Sequence, residues 1–460
     1  MRTVEQIKSL RPAKSNGSVV TINGDLWYKI ENYDSIPDFF MTITSSSDVW
    51  NFIWSSGALS AGRKDSGFAI FPYYTCDKID DFKNCAGPFS AIKVKGNAND
   101  AGKDAGSTFY WEPFTTSPSF KVKRNLYKNS SGSHIVFEEI NEELNLTFKQ
   151  EWTSSAKYGL VRIACIINNS DKAQTVQILD GCRNIMPACA NVDLQNNSSV
   201  LLDAYKKTDL DLETGLSMFS LSSVLTDRAE PSEALWANTC WFNIDAPVYL
   251  DSAIEKQFAS DESLDTVFDQ TRILKGGRAS CNIIKKFSLE AKKEESWYQV
   301  FDTKLELSRI QDLKKKLSDR AAITADLEKD IKDGQDLLNK YIADADGIQN
   351  TNDAITCIHH KANVMFNIMR GGVFVENNTI HTADFIKFVT TRNTNQLDAA
   401  KKICTSETIS YKELGDKVKE SSNDQLYRLY LEYLPLSFSR RHGDPSRPWN
   451  KFSINLRDSL

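Results

Sequence analysis

The chain has 460 residues, with 56 Lys and Arg against 61 Asp and Glu and a formal net charge of -5. That length exceeds a single ordinary core, so two or three domains are expected. The near balance of charge removes any global electrostatic case for nucleic acid or an anionic membrane surface as partner. The start, MRTVEQIKSLRPAKSNGS, has no apolar core of signal-peptide length, and no later run approaches the ~20 apolar residues of a membrane span. A soluble protein of the cytoplasm is the expectation. Nine cysteines, odd in number and without a CxxC pair, point to reduced, mostly buried thiols rather than a zinc site or a disulfide frame.

From the amino terminus to about Phe287 the dominant signal is alternation. Val19 to Ile22, Gly24 to Ile30, Phe39 to Thr44 and Val49 to Trp54 read as strands broken by Asn, Gly and Ser. Residues 96–107, rich in Gly, Ala, Asn and Asp, read as a loop. His134 to Ile140, Leu144 to Trp152, Leu160 to Asn168 and Thr175 to Asp180 follow as strands, parted by turn clusters such as Asn168 to Lys172. In the third of these, Val161, Ile163, Cys165 and Ile167 are expected on the buried face, with Arg162 and Ala164 on the other. Short strands without intervening helices predict stacked antiparallel sheets. Trp27, Trp50, Trp54, Trp111, Trp152, Trp236 and Trp241 all fall in this part, and each reads first as sandwich core, second as a sugar platform.

After Trp297 the periodicity changes. Leu307, Ile310, Leu313, Leu317, Leu327, Ile331, Leu338 and Ile342 recur mostly at three- or four-residue spacing among charges, the pattern of one amphipathic helix or a pair, with a bend near Ala321 to Thr324 or Gly334. A further helix is predicted from Thr351 to Met369, capped by Asn352 or Asp353 and ended by Arg370, Gly371 and Gly372. His359 and His360 within it are adjacent, hence ~100° apart on a helix, and lack a second ligand at four-residue spacing, so no metal is expected there. Thr382 to Val389, Ser410 to Glu420 and Asn423 to Leu434 are the remaining predicted helices.

The last of them leads into Phe438 to Ile454, FSRRHGDPSRPWNKFSI, where Pro445 and Pro448 exclude a helix interior. Arg440, Arg441, His442, Asp444, Arg447 and Trp449 share this loop. Guanidinium forks, a carboxylate and an indole face suit a polyhydroxylated or anionic ligand, so these six are the candidate substrate-binding residues. A rigid surface loop with Asp444 paired to one of its arginines is the plainer reading.

Four stretches resemble glycoside phosphorylases related to cellobiose phosphorylase. Val49 to Ile79, VWNFIWSSGALSAGRKDSGFAIFPYYTCDKI, and Leu146 to Asp180 are similar to the amino-terminal β domain of that group. Asp227 to Trp241, DRAEPSEALWANTCW, looks like a later strand of it, and Phe366 to Ile380, FNIMRGGVFVENNTI, like early helices and loops of its second domain. The resemblance implies a multidomain β and α protein: an antiparallel β-supersandwich of galactose mutarotase type over 1–300, a helical linker over 301–345, and an incomplete (α/α) six-hairpin barrel over 346–460. It implies a carbohydrate partner, no cofactor beyond inorganic phosphate as co-substrate, and phosphate attack on the anomeric carbon with inversion, so that one protein acid suffices.

A six-hairpin barrel takes twelve helices, and only three to five are expected here. The general acid is therefore expected downstream of Leu460, and Asp444 and Asp458 read as ordinary loop carboxylates. The chain is expected to be a truncated or split member, as a homodimer or in association with the missing barrel portion. A non-catalytic carbohydrate-binding protein, a scaffold protein and one half of a split enzyme stand as alternatives.

Overall fold

The computed structural model describes residues 14–72, 76–95, 107–223, 236–345, 347–349, 351–369 and 374–433. All but Ser107 of the loop predicted over 96–107, the helix stop at 370–372, and Asp444 and Asp458 lie outside them. The first strands are β1 Asn16–Ile22, β2 Asp25–Glu31, β3 Phe40–Ile43, β4 Val49–Trp54, β5 Leu59–Arg63, β6 Gly87–Lys95 and β7 Thr108–Trp111. There follow β8 Val122–Asn129, β9 Ile135–Asn141, β10 Leu146–Ser155, β11 Gly159–Asn168 and β12 Gln174–Ile185. The sandwich closes with β13 Lys206–Leu210, β14 Ser217–Leu221, β15 Trp236–Phe242, β16 Val248–Tyr249, β17 Ile273–Lys275, β18 Ala279–Leu289 and β19 Glu294–Glu306.

These strands form an eleven-stranded sheet ordered β1-β2-β8-β9-β10-β11-β19-β15-β14-β13-β17, a five-stranded sheet ordered β16-β18-β12-β6-β7, and a three-stranded sheet β3-β4-β5. Every ladder is antiparallel. Turn chemistry sets the register where the sequence allows it. Asn23 and Gly24 both take positive φ, 51° and 85°, in the two-residue turn that an Asn-Gly pair favours between β1 and β2. Gly159, at φ 98°, starts β11 so close to β19 that a Cβ there would lie 2.1 Å from the Phe301 carbonyl oxygen. Four short helices also occur among these strands: α1 Cys76–Asp81, α2 Val192–Asn197, α3 Ser199–Tyr205 and α4 Ala253–Ser260. The expectation of a helix-free β part is corrected on that point, because segments of six to eight residues are too short to show a helical period.

The core lies between the sheets, where Phe137, Phe148, Trp152, Ile178, Ile283 and Trp297 are among the buried side chains. Of the tryptophans named from the sequence, Trp27, Trp50, Trp111, Trp152 and Trp241 are buried, whereas Trp236 is 41% exposed. The predicted facing of β11 is reversed except at Val161, which is wholly buried on the other face. Arg162, Ala164 and Ile166 are wholly buried towards the second sheet, while Ile163, Cys165 and Ile167 are half-exposed. The cause is Arg162, whose Nη1 and Nη2 donate to Asp180 of β12 at 2.8 and 2.7 Å. Asp180 also accepts from Ser90 of β6 at 2.6 Å and from the Trp297 indole at 2.7 Å. A charge can be taken out of water when its partner and its remaining hydrogen-bond capacity are supplied, and here both are. The thiols also depart from expectation: Cys182, Cys240 and Cys281 are buried, but Cys85 and Cys189 are exposed.

Beyond β19, α5 Leu307–Leu317 and α6 Arg320–Asp344 are the predicted amphipathic pair. Their break falls at Ser318 and Asp319, just ahead of the region expected to bend, because Asp319 caps α6 by accepting from the Ala322 amide at 3.0 Å. Ile310, Leu313, Leu317, Ile323 and Leu327 pack on Val161, Trp241 and Val300, so the large sheet is covered on its outer face as well. Tyr158 donates to Asp326 at 2.6 Å and Ser155 to Asp330 at 2.5 Å, fixing α6 along the β10–β11 hairpin.

The remainder is helical: α7 Ala354–Met369, α8 Thr382–Arg392, α9 Leu397–Ile403, α10 Tyr411–Glu420 and α11 Asp424–Glu432, with the ribbon β20 Thr379–His381 and β21 Thr408–Ser410. Ser410 caps α10 through the Glu413 amide and Asn423 caps α11 through the Leu426 amide, each at 3.1 Å. This unit has its own core, with Tyr411 and Tyr430 stacked at 4.5 Å and each hydroxyl bonded to the other's carbonyl. Asn378 anchors it to the sandwich by donating to the Ser46 carbonyl at 2.7 Å.

Replacing Arg162 with Met strands Asp180 in the core and is expected to cost about 3–5 kcal/mol, with Arg162→Met plus Asp180→Leu milder than the single change. Urea unfolding of the three proteins checks it; a single variant within about 0.5 kcal/mol of wild type contradicts it.

Candidate functional site

The six residues assigned to substrate from the sequence, Arg440, Arg441, His442, Asp444, Arg447 and Trp449, all lie outside the described residues. Within them, the polar concavity of the sandwich is a cleft of about 930 Å³ where one end of the large sheet faces the five-stranded sheet. A short 3-10 turn, Tyr33–Ser35, forms one rim and residues 112–119 another. Val122 and Arg124 of β8, Phe137 of β9 and Gln150 of β10 enter from the large sheet. Phe89 and Ser90 of β6 and Arg183 of β12 enter from the facing one.

Two guanidinium groups frame the cleft. Arg183 holds Glu255 of α4 with a two-pronged grip, Nε to Oε1 at 2.8 Å and Nη2 to Oε2 at 2.6 Å, and gives Nη1 to the Asn84 carbonyl at 3.1 Å. Its guanidinium carbon sits 3.8 Å from the centre of the Phe89 ring, a cation on an aromatic face. Arg124 donates to Glu139 at 2.7 Å, to the Thr115 carbonyl at 2.6 Å and, at 3.5 Å, to Asp34. Glu139, wholly buried, also takes the Trp111 indole and the Phe114 amide, each at 2.8 Å. The segment 111–115 is thus pinned at three points by one buried carboxylate and its arginine.

That pinning places Glu112. It is half-buried on the cleft wall between Trp111 and Pro113 and makes no hydrogen bond or ion pair among the described residues. Burial raises its pKa; Arg183 opposes the rise and Glu255 adds to it. Asp34 is raised too, by burial against the pull of Arg124. Tyr110, alongside, is pushed up to about 12 by burial and by the charges of Glu112 and Glu255. Glu112 is therefore the cleft carboxyl with open hydrogen-bonding capacity and a raised affinity for a proton, the properties of a group that gives or takes one at a ligand hydroxyl.

The floor connects to the core. Ser90 donates to Asp180 and accepts from Arg162 at 3.2 Å, and Gln150 accepts from Arg162 at 3.4 Å. Two cleft residues are thereby held by the buried ion pair beneath them. None of Glu112, Arg124 or Arg183 was singled out in the sequence. The signal that could have found the first is the run Tyr110-Trp111-Glu112-Pro113-Phe114, an acid set among aromatics beside a proline. Among the described residues no group of three or more His, Cys, Asp or Glu side chains is placed to hold a metal ion, and no helix is long and apolar enough to cross a membrane.

Two facing antiparallel sheets with a polar cleft at one end, linker helices on the outer face and a separate helical unit define an antiparallel β-sandwich protein with appended helices. Residues 374–435, most of that helical unit, match the family model of glycoside hydrolase family 149 insertion domain 1. The resemblance to glycoside phosphorylases and hydrolases read from the sequence thus has a family match in the helical part. Solved structures similar to the chain include a bacterial glucoamylase complexed with acarbose, at 8% identity over 88% of this chain and 53% of that one, TM-score 0.35. A human-microbiome protein named as a kojibiose phosphorylase is similar at 10% identity over 71% of this chain and 41% of that one, TM-score 0.32. An Escherichia coli K12 protein named as an aldose 1-epimerase is similar at 8% identity over 59% of this chain and all of that one, TM-score 0.29. The chain spans about half the length of the glucoamylase and less than half of the phosphorylase-type protein. No curated protein matches it.

The raised pKa of Glu112 makes stability fall as pH rises from the ordinary value of 4.5 to the raised one, because in that window the folded state binds the proton that the unfolded state has lost. Glu112→Gln removes this slope. Unfolding free energies of the two proteins between pH 4 and pH 8 are expected to diverge in favour of the variant as pH rises and then run parallel; parallel curves throughout contradict it.

Proposed function

We propose that the chain is a carbohydrate-active protein and that the cleft around Glu112, Phe89 and Arg183 is its saccharide site. The observation that carries this reading is the unpaired Glu112 carboxyl in a cleft that also exposes ring surface and hydroxyls. A sugar ring has an apolar face of C–H groups and a rim of hydroxyls. Phe114 offers ring surface to the first and Phe89, with Arg183 over one face, offers an edge, while Glu112, Asp34 and the Ser117 and Ser119 hydroxyls offer hydrogen bonds to the second.

The finer part of the proposal is that the sandwich belongs to an inverting glycoside phosphorylase-like enzyme acting on β-glucosides or oligosaccharides, with inorganic phosphate as co-substrate. The proposed division remains a sandwich over 1–300, a linker over 301–345 and the opening of a helical barrel over 346–460. Within that division we read 374–435, the stretch that matches an insertion domain, as an insertion in the helical part. Glu112 is proposed as a sugar-binding group, no described residue is assigned the general acid, and the chain alone is proposed to be inactive. The loop residues Arg440, Arg441, His442, Asp444, Arg447 and Trp449 remain proposed contacts to the same class of ligand.

A non-catalytic binding role is favoured by a separate observation. Arg183 and Arg124 each give three of five donors to protein partners, the first to Glu255 and Asn84 and the second to Glu139, Thr115 and Asp34, which suits the cleft to holding a shape.

Calorimetric titration of the full chain with cellobiose and longer gluco-oligosaccharides is expected to show binding that Glu112→Gln or Phe89→Ala weakens about tenfold. With phosphate present, β-glucosides are expected to release no sugar phosphate. Absence of binding, or binding indifferent to both substitutions, rejects the cleft as the site; release of sugar phosphate rejects inactivity alone.

A further inference from the structure

A second concavity lies elsewhere on the sandwich, and its chemistry is opposite to that of the cleft. About 320 Å³ in volume, it is enclosed by β2 and β8 of the large sheet, by β3 and β4 of the three-stranded sheet, and by α7 of the helical unit. Phe39, Met41, Phe52, Met365, Phe366 and Met369 are among the residues of an apolar lining. No Asp or Glu lines it among the described residues, and the full positive charge on its wall is Lys128.

Two polar groups in this apolar setting lack the partners that burial demands. Asn51 on β4 is 3% exposed, lines the pocket, and has neither its Nδ2 nor its Oδ1 in a hydrogen bond to protein. A buried amide left so costs about 1–3 kcal/mol, and native folds rarely leave both ends of one unmet. Lys128 has no carboxylate partner; its Nζ donates once, to the Thr42 carbonyl at 2.8 Å, which leaves two of its three donors. The two groups are close in the ladder. Thr42 faces Phe52 across β3 and β4, and Ile43 faces Asn51, so the carbonyl that holds the Lys128 ammonium lies one rung from the residue that carries the amide. Burial lowers the Lys128 pKa to about 8, the shift expected of a cation that lacks an anion. Phe366, 62% exposed at the pocket's edge, extends the apolar wall outward.

We infer that this pocket binds a small carboxylate-bearing amphiphile, its anionic head on Lys128 and Asn51 and its apolar body along the Met and Phe lining between the sheets and α7. The sign of the charge follows from a cation with no acid nearby. The carboxylate follows from the pairing of an ammonium with an amide, which together donate to both oxygens of one head group. The apolar body follows from the lining.

Calorimetric titration of the full chain with decanoate and with decanol separates head group from tail. Decanoate is expected to bind with unit stoichiometry and about tenfold more tightly than decanol, the difference that a charge-assisted hydrogen bond supplies. Lys128→Met should abolish that preference, and Asn51→Leu should reduce it. Phe366→Ser, a change at an exposed position, should weaken both ligands alike, and thermal melts of all three variants report whether each is folded. Equal affinity for the two ligands, a preference that survives Lys128→Met in a folded protein, or no binding of either overturns the inference. If Lys128→Met does not fold, a reduced decanoate preference in folded Asn51→Leu decides the matter, and an unreduced one counts against the site.

Discussion

Between the two large sheets an arginine and an aspartate are shut away from water, and the geometry around them is set by the need to saturate both. Desolvating two ions costs several kcal/mol each, and the cost is offset only if every lone pair and proton finds a partner. Asp180 receives four donors, two from Arg162 and one each from Ser90 and Trp297. These come from β11, β6 and β19, so the requirement ties strands of both sheets to one spacing and one register. A slip of one residue in β11 would turn Arg162 outward and bring Ile163 into its place.

The same requirement reaches the surface. Ser90 and Gln150 are bound to the pair from above and form part of the cleft floor. The rim repeats the device with Glu139 and Arg124, which fix the segment that carries Glu112. The frame of the concave end is thus held by paired charges, and Glu112 stands out from its other carboxyls because it has no partner among the described residues. On the opposite face of the large sheet, α5 and α6 cover what the strands leave apolar, and Asp326 and Asp330 lock that cover to the β10–β11 hairpin.

How far this was legible differs by level. Alternation in 134–180 located four consecutive strands, each end within five residues, since apolar period two is a local property. Caps at Ser410 and Asn423 mark helix starts through a single side chain, so those starts were legible as well, whereas the cap at Asp319 lies just ahead of the bend expected near Ala321 to Thr324. The facing of β11 was not, for both its faces are covered, one by the second sheet and one by the linker, and hydropathy cannot rank two burials. Nor could an isolated arginine announce that Asp180, 18 positions on, would be its partner. The cleft is assembled from five strands and the loops between others, and nothing in a linear reading joins Phe89, Glu112 and Arg183. The loop that reads as most polar in the sequence, 438–454, lies outside the described residues, so its place relative to the cleft is a matter for the sequence reading alone.

Hydrogen–deuterium exchange of the full chain with and without a saturating gluco-oligosaccharide tests the central claim, that the polar end of the sandwich is where carbohydrate sits. Slower exchange confined to 33–38, 83–90, 111–124 and the Arg183 segment is the result this account requires. Exchange unchanged there, or slowed only in peptides remote from that end, would contradict it.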